Sequence, residues 1–208
     1  MGSGRNVEPL VTGRRWAALG LVTGPVAFVG GWVVGGRRTP GYSPVHDAIS
    51  RIAAVGAPER ELMTAAFVAY GTSVLVGSAA LRDSPLRRCW ALAAVNGAAT
   101  IAVAALPLEH SAAMDTWHGV AAGTGYVSIA ALQLASAGPL RATGHERAAG
   151  LAVAGGVVTG AALVATTVSD ANGFWQRLGL TVGDVWLVAT GLALFRARRA
   201  VSRQPAPS

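Results

Sequence analysis

Six long apolar segments separated by short polar connections constrain the fold more than any other feature of this chain. They cover residues 16–35, 61–81, 89–106, 115–137, 148–168 and 174–195. Each is about long enough, as a helix rising about 1.5 Å per residue, to cross a bilayer core of about 30 Å. In lipid only helices and closed barrels satisfy the backbone groups, and the alternation of barrel strands is missing. The sequence therefore predicts an all-α polytopic membrane protein, a six-transmembrane-helix bundle.

Composition favours a membrane protein and argues against a nucleic-acid partner. Only 13% of the 208 residues are charged, which is about half the fraction in an average soluble domain. All 17 basic residues are Arg, and the net charge is +7. These Arg residues lie in small groups between the apolar segments, however, and not along one amphipathic face. We therefore expect a membrane lipid or a hydrophobic small molecule as the partner, and no nucleic acid.

The distribution of Arg predicts how the chain is oriented. Twelve Arg lie in the N-terminal segment, the second and fourth connections and the C-terminal segment, and five lie in the other three connections. The positive-inside rule then predicts a multi-pass protein of the cell membrane with both termini in the cytoplasm. We expect residues 1–15 to be a mobile N-terminus, residues 16–196 to be a single six-helix domain and residues 197–208 to be a disordered tail.

The first connection, residues 36–59, is the longest, and we expect it to contain a short amphipathic helix at the membrane interface. Ile49 and Ile52 recur at helical spacing, while polar side chains fall on another side of the same turn. The segment either serves as a simple lid or interface anchor, or contributes polar groups to a site. Its candidate ligand-binding residues are His46, Asp47 and Ser50.

The third connection, residues 106–118, is rich in groups that bind protons, metals or polar ligands. Asp115 and His118 are three residues apart at a predicted helix start, so they share a side of the helix and are candidates for an acid–base pair. The alternative is a helix-start histidine satisfied structurally by Asp115. Glu109 and His110 are further candidate ligand-binding residues, and His110, His118 and Asp115 are the candidate ligands if a divalent metal is the cofactor.

The sixth apolar segment adds three candidate site residues. Asp184 lies inside it, and an intramembrane carboxylate usually faces the bundle interior with a partner or a proton. We therefore group Asp184 with the candidate catalytic residues, although a structural ion pair or hydrogen bond with Arg177 is the alternative. Gln176 and Arg177 are candidate ligand-binding residues, because the guanidinium fork suits an anionic head group. They could instead anchor the helix at the interface.

The predicted topology brings the first, third and fifth connections to the extracytoplasmic face, where their polar residues would form one pocket.

Small residues recur elsewhere as Gly-x-x-x-Gly pairs, at Gly20/Gly24, Gly31/Gly35, Gly119/Gly123, Gly156/Gly160 and Gly179/Gly183. Such pairs allow close approach of helix backbones, and we expect them to serve internal packing more than dimerisation. The oligomeric state stays open.

The chain resembles a family of small prokaryotic six-helix membrane proteins catalogued as domain of unknown function 998. The resemblance covers almost all of residues 16–196 and rests on three motifs. These are Tyr42-Ser43-Pro44 followed by Asp47-x-Ile49-Ser50, the Pro107 segment leading to His118, and Gly173-x-x-Gln176-Arg177 with Trp186 downstream. The family often has Ser-Asp-Leu-Gly where this chain reads Ser50-Arg51-Ile52-Ala53, and Phe where it has Leu106. The resemblance implies a six-helix membrane fold and no particular activity.

Two classes of function fit these features. One is an intramembrane enzyme that acts on a lipid or isoprenoid by acid–base or metal-assisted chemistry. The other is a non-enzymatic ligand-binding, transport, accessory or scaffold protein. A transport path needs polar groups through the whole bundle, and the cytoplasmic half offers only Asn96 and Gln133. The sequence therefore favours a pocket at one face over a path through the membrane.

Overall fold

Six long helices form the protein in the computed structural model, which describes residues 16–201 and the side chains of residues 16–197. They are α1 (Gly20–Arg38), α2 (Arg60–Leu81), α3 (Trp90–Ala105), α4 (Ala112–Ala142), α5 (Glu146–Val168) and α6 (Asn172–Val201). Short 3-10 helices occur at Ile49–Ala53 and Arg87–Cys89, and the described residues contain no strand. The prediction of an all-α six-helix bundle is confirmed. Residues 1–15 and 202–208, on which the predicted mobile terminus and most of the predicted tail fall, lie outside the described range.

Five of the six helices are long and apolar enough to cross a membrane. The exception is α1, a continuous helix of 19 residues whose apolar sequence contains several Gly and Pro25. Its mean hydropathy is lowered by these residues and by Arg37 and Arg38 at its end. Its length is nevertheless about that of a membrane core at 1.5 Å per residue.

The helices pack in sequence order around the bundle. Each long helix contacts the next one along the chain, and α6 closes the arrangement by contacting α1. The first-loop 3-10 helix packs against α1, α2 and α6 at one end of the bundle. Its Ile49 and Ile52 are almost fully buried, whereas Arg51 is exposed. The predicted short amphipathic helix is therefore present, and its apolar side is covered by the bundle itself.

Glycine allows the closest helix contacts. A Cβ atom built on Gly20 would lie 2.2 Å from the backbone oxygen of Ser73 in α2, and one on Gly31 would lie 2.4 Å from the Ala66 Cβ. Both members of three pairs, Gly20/Gly24, Gly31/Gly35 and Gly179/Gly183, lie at contacts within the chain, as predicted, and Gly156 does so without Gly160. Gly119 and Gly123 do not, because nothing lies within 4 Å of a Cβ atom at either position.

Candidate ligand-binding site

Backbone contacts bring the three connections with unusual polar residues to one end of the bundle. The first connection meets the fifth where His46 Nδ1 lies 2.9 Å from the Asp170 carbonyl oxygen, and next to it the Phe174 amide of α6 donates to the Val45 carbonyl oxygen over 2.9 Å. It meets the third where the Val55 amide donates to the Leu108 carbonyl oxygen over 3.0 Å. The sequence-based expectation that these connections share a face is therefore correct, and the first connection lies between the other two.

Arg177 fastens the first connection to the start of α6. Its Nη1 donates to the carbonyl oxygens of Pro44 over 2.7 Å, Asp47 over 3.1 Å and Gly173 over 2.8 Å. Its Nη2 donates to the Tyr42 hydroxyl, and Nε is buried without a hydrogen-bond partner. The guanidinium also lies 5.3 Å from the Trp32 ring centroid. The Nη groups that we expected to bind an anionic head group are thus occupied by the protein.

Burial raises the pKa of the Tyr42 hydroxyl, while the positive charge of Arg177 acts in the opposite direction. The phenol therefore stays neutral at physiological pH and can accept the Arg177 hydrogen bond. Tyr42 also donates to the Ala48 carbonyl oxygen over 3.2 Å. The motif Tyr42-Ser43-Pro44 and Arg177 consequently act as one structural unit.

Gln176, the neighbour of Arg177, holds the next part of the first connection. Its Oε1 accepts a hydrogen bond of 2.6 Å from the Ile49 amide, which is the first donor of the 3-10 helix. Its backbone carbonyl accepts from the Tyr126 hydroxyl of α4. Gln176 therefore links the first connection, α4 and α6, and it borders the cavity below.

A partly enclosed cavity of about 60 Å³ lies beneath the 3-10 helix, between α1, α2, α3, α4 and α6. One ordered water needs about 10–15 Å³ on this kind of measure, so the cavity can hold several small groups. Its walls are mostly apolar or aromatic and carry a few polar side chains. The lining residues are Phe28, Ile49, Ser50, Phe67, Tyr70, Asn96, Thr100, Val103, His118, Ala121, Ala122, Gly125, Tyr126, Gln176 and Leu180.

His118 is the one residue with a basic side chain in the cavity wall, and only 5% of it is exposed. Its Nδ1 lies 2.6 Å from the Leu106 carbonyl oxygen. Because a carbonyl only accepts hydrogen bonds, Nδ1 carries the proton and Nε2 is the lone-pair nitrogen of the neutral ring. His118 can therefore accept a hydrogen bond or a proton from a molecule in the cavity through Nε2.

Asp115 does not pair with His118 in this structure. Its Oδ1 accepts a hydrogen bond of 2.9 Å from the Glu109 amide, which belongs to the turn before α4. Glu109 has a positive φ of 65°, so the carboxylate of Asp115 stabilises an uncommon backbone conformation. The spacing of three residues places Asp115 and His118 on one side of the helix, but the Asp115 carboxylate hydrogen-bonds to the turn before α4 instead of to His118.

Asn96 connects three helices in the wall of the cavity. Its Oδ1 accepts a hydrogen bond of 2.9 Å from the Tyr70 hydroxyl of α2, and its Nδ2 donates to the Gly125 carbonyl oxygen of α4 over 2.9 Å. The side chain is 2% exposed. Asn96 therefore joins helices through hydrogen bonds inside the bundle.

Asp184 lies deeper in α6 and is 5% exposed. Its carboxyl group lies close to the Tyr70 side chain, and its Oδ2 is buried without a hydrogen-bond partner. No ion pair joins Asp184 to Arg177 or to any other cation among the residues whose side chains are described. The structural ion pair considered for these two residues is therefore absent.

The remaining candidate residues lie at the surface of the same end. His46 is exposed, and its Nδ1 lies 2.9 Å from the Asp170 carbonyl oxygen. Arg51 forms ion pairs with Glu109 at 3.1 Å and with Asp47 at 3.7 Å, and His110 is exposed. Within residues 16–197, no three His, Cys, Asp or Glu side chains are placed to hold a metal ion. His110, His118 and Asp115 therefore do not come together as metal ligands here.

Sequence reasoning missed the contribution of two tyrosines. Tyr70 and Tyr126 lie inside segments read only as apolar helices, yet they line the cavity and hydrogen-bond to Asn96 and to Gln176. Their position in the sequence could have indicated this. Tyr residues of the aromatic belts at the membrane–water interfaces lie near helix ends, whereas Tyr70 lies near the middle of α2. A buried tyrosine hydroxyl usually has a polar partner, which points to a polar interior.

Comparison with known proteins identifies the family. The model of a family described as "Protein of unknown function (DUF998)" matches residues 22–193. The chain therefore belongs to this family, as the resemblance suggested. No curated protein matches the chain. No solved structure matches it either.

Proposed function

We propose that this member of the DUF998 family is a membrane-embedded binding protein for a small amphipathic molecule of the lipid or isoprenoid class. The cavity beneath the first loop carries the proposal. It is partly enclosed, it lies within an apolar bundle, and it combines polar residues such as Ser50, Thr100 and His118 with aromatic walls. Binding sites for small molecules are typically concave and mostly apolar, with a few polar groups that fix orientation.

The cavity lies nearer the end of the bundle that carries the first, third and fifth connections. The distribution of Arg supports a location of this end outside the cytoplasm, with both termini inside. The ligand would then enter from the outer half of the cell membrane. Arg177 and Gln176 position the first loop over the cavity, and His118 is the basic side chain in its wall.

A cavity-filling substitution tests the proposal. Ala121 lines the cavity on α4, whereas Ala135 is exposed on the same helix. Native mass spectrometry of protein purified in mild detergent should show a discrete bound molecule on the wild type and on Ala135→Leu. Ala121→Leu should fold but lose most of that molecule. Equal occupancy in all three proteins, or bulk phospholipid only, would contradict the proposal.

An intramembrane enzyme is the second candidate, and one observation favours it. The hydrogen bond from Nδ1 to the Leu106 carbonyl leaves Nε2 as the nitrogen with a lone pair in a histidine that lines the cavity, and a histidine held in this way can act as a general base. The wild type in liposomes made from a total lipid extract should then convert one lipid species over time, and His118→Gln should not. If the wild-type protein changes the amount of no lipid species, a binding or scaffold role is the better account.

A further inference from the structure

Asp184 and the aromatic wall of the cavity indicate the charge of the ligand. We infer that the cavity selects a cationic amphiphile, an alkylammonium compound whose positive charge is balanced by Asp184. This inference rests on the proposed function and specifies the class of ligand for the same site. Three observations carry it: the position of Asp184 below the cavity, the lack of a protein cation to balance it, and the aromatic lining.

Asp184 continues the line of α6 residues that faces the cavity. Gln176 and Leu180 both line the cavity, and Asp184 follows at the same spacing of four residues, on the same face of the helix. Tyr70, which also lines the cavity, lies close to the Asp184 carboxyl group. Asp184 does not itself line the cavity, but it follows about one helical turn beyond Leu180 on the face of α6 that does.

Among the residues whose side chains are described, none supplies a cation to this carboxyl group. Asp184 is the one acidic residue among the buried residues of the described range, and its Oδ2 has no hydrogen-bond partner. The nearest cation along α6, Arg177, directs its Nη groups to carbonyl oxygens and to Tyr42 at the first loop. No Arg lines the cavity. Because a buried carboxyl group needs either a proton or a cation, an ammonium ligand can supply the cation that the described side chains do not, and it is favoured over a neutral or anionic ligand.

The aromatic side chains add a second attraction for a cation. Phe28, Phe67, Tyr70 and Tyr126 line the cavity, and the Phe28 ring centroid lies 5.6 Å from that of Phe67 and 5.4 Å from that of Tyr70. Aromatic rings attract ammonium groups through their negative faces, and grouped rings bind ammonium ligands in other proteins. A small ammonium head group also takes up less of the cavity of about 60 Å³ than a phosphate head group does.

A matched series of short probes tests this inference. n-Hexylamine, 1-hexanol and hexanoate have the same chain and carry a positive, neutral or negative head at neutral pH. Their binding to the full-length protein in maltoside detergent is measured by calorimetric titration and by the shift of the thermal unfolding midpoint. Hexylamine should bind roughly tenfold more tightly than hexanol, and hexanoate should bind least.

Variants at Asp184 complete the test. Asp184→Asn should reduce hexylamine affinity to that of hexanol and leave hexanol affinity unchanged, whereas Asp184→Glu should keep the preference. Asp170→Asn, which removes an exposed carboxylate near the same end, should behave as the wild type. If Asp184→Asn does not fold, the probe series on the wild type and on Asp184→Glu still decides. Equal binding of the three probes, or binding of none, would contradict the preference for a cationic ligand. The Ala121→Leu experiment tests separately whether the cavity binds a ligand at all.

Discussion

Single polar side chains hold this bundle together at points where apolar contact alone cannot select a partner. Lipid is as apolar as the helix surfaces, so helix association in a membrane depends on close packing and on hydrogen bonds between helices. Asn96 makes two such bonds, one to Tyr70 of α2 and one to the Gly125 carbonyl of α4. Gln133 does the same between α4 and α5, because its Nε2 donates to the Thr159 hydroxyl over 3.0 Å.

Asn96→Ala should therefore destabilise the protein by about 1 kcal/mol, since each interhelical hydrogen bond in a membrane protein contributes on average about 0.6 kcal/mol. The change is measured as the free energy of unfolding in mixed micelles of increasing denaturing detergent. Thr124→Ala is the control, because Thr124 is exposed and its hydroxyl bonds only within its own helix. A free energy equal to that of the control would show that Asn96 does not join the helices.

Arg177→Lys should loosen the first loop while leaving the helices folded. An ammonium group lacks the planar fork that serves the Pro44 and Asp47 carbonyls and the Tyr42 hydroxyl together. Hydrogen exchange of amides in residues 42–50 should become roughly tenfold faster, as expected for local opening. Arg141→Lys, at the exposed pair with Glu146, provides the matched control. Unchanged exchange in residues 42–50 would mean that Arg177 does not fasten the loop.

Which residues share the site could be predicted only in part from the sequence. Their location at one end followed from the apolar pattern, because connections of equal parity lie on the same side of a membrane. The partner of each side chain did not follow, since it depends on backbone turns that periodicity does not encode. Asp115 shows this most clearly. Its spacing predicted a pair with His118, but its carboxylate accepts a hydrogen bond from the Glu109 amide.

At the scale of helices, glycine sets the distance between α1 and α2. A Cβ atom on Gly20 would come within 2.2 Å of the Ser73 oxygen, and one on Gly24 within 3.1 Å of the Tyr70 oxygen. These contacts hold α1 against α2, although α1 is not among the five helices that are long and apolar enough to cross a membrane. They also position Tyr70, whose hydroxyl reaches Asn96 and the cavity.

Gly20→Ala should lower the thermal unfolding midpoint and the yield of folded protein, because the new methyl group meets backbone and not a flexible side chain. A destabilisation of about 1–3 kcal/mol is usual for such overpacking. Gly160→Ala is the matched control, since a Cβ atom at Gly160 has nothing within 4 Å. That substitution should be neutral or slightly stabilising, because Ala favours helix over Gly. Equal midpoints for the two variants would refute close contact between α1 and α2.

At the scale of the whole molecule, the class of fold was accessible from the sequence because one physical rule dominates it. Backbone groups in lipid must be satisfied within a helix, so long apolar segments predict helices almost directly. The helix ends were less predictable. The structure continues α4 past Pro139 to Ala142 and α6 to Val201, beyond the predicted ends at residues 137 and 195. Apolar patterns mark where a helix enters lipid, whereas a helix can continue into water.

Six spans require that both termini lie on the same side of the membrane. Reporter enzymes fused to the N-terminus and to the C-terminus should both be active only in the cytoplasmic form, as the Arg distribution predicts. The same experiment tests whether α1 crosses the membrane. Reporters on opposite sides would show that α1 does not cross, and reporters both outside would reverse the orientation of the cavity.

An experimental density map of the full-length protein in lipid nanodiscs is the most direct test of ligand binding in the cavity. The structure predicts non-protein density beneath the first-loop 3-10 helix, in contact with His118 and bordered by Phe28, Phe67 and Tyr70. The density should be elongated, with its polar end within hydrogen-bond distance of a cavity-lining polar group. A cavity that holds only water, or that is closed by collapse of its own side chains, would contradict the binding function.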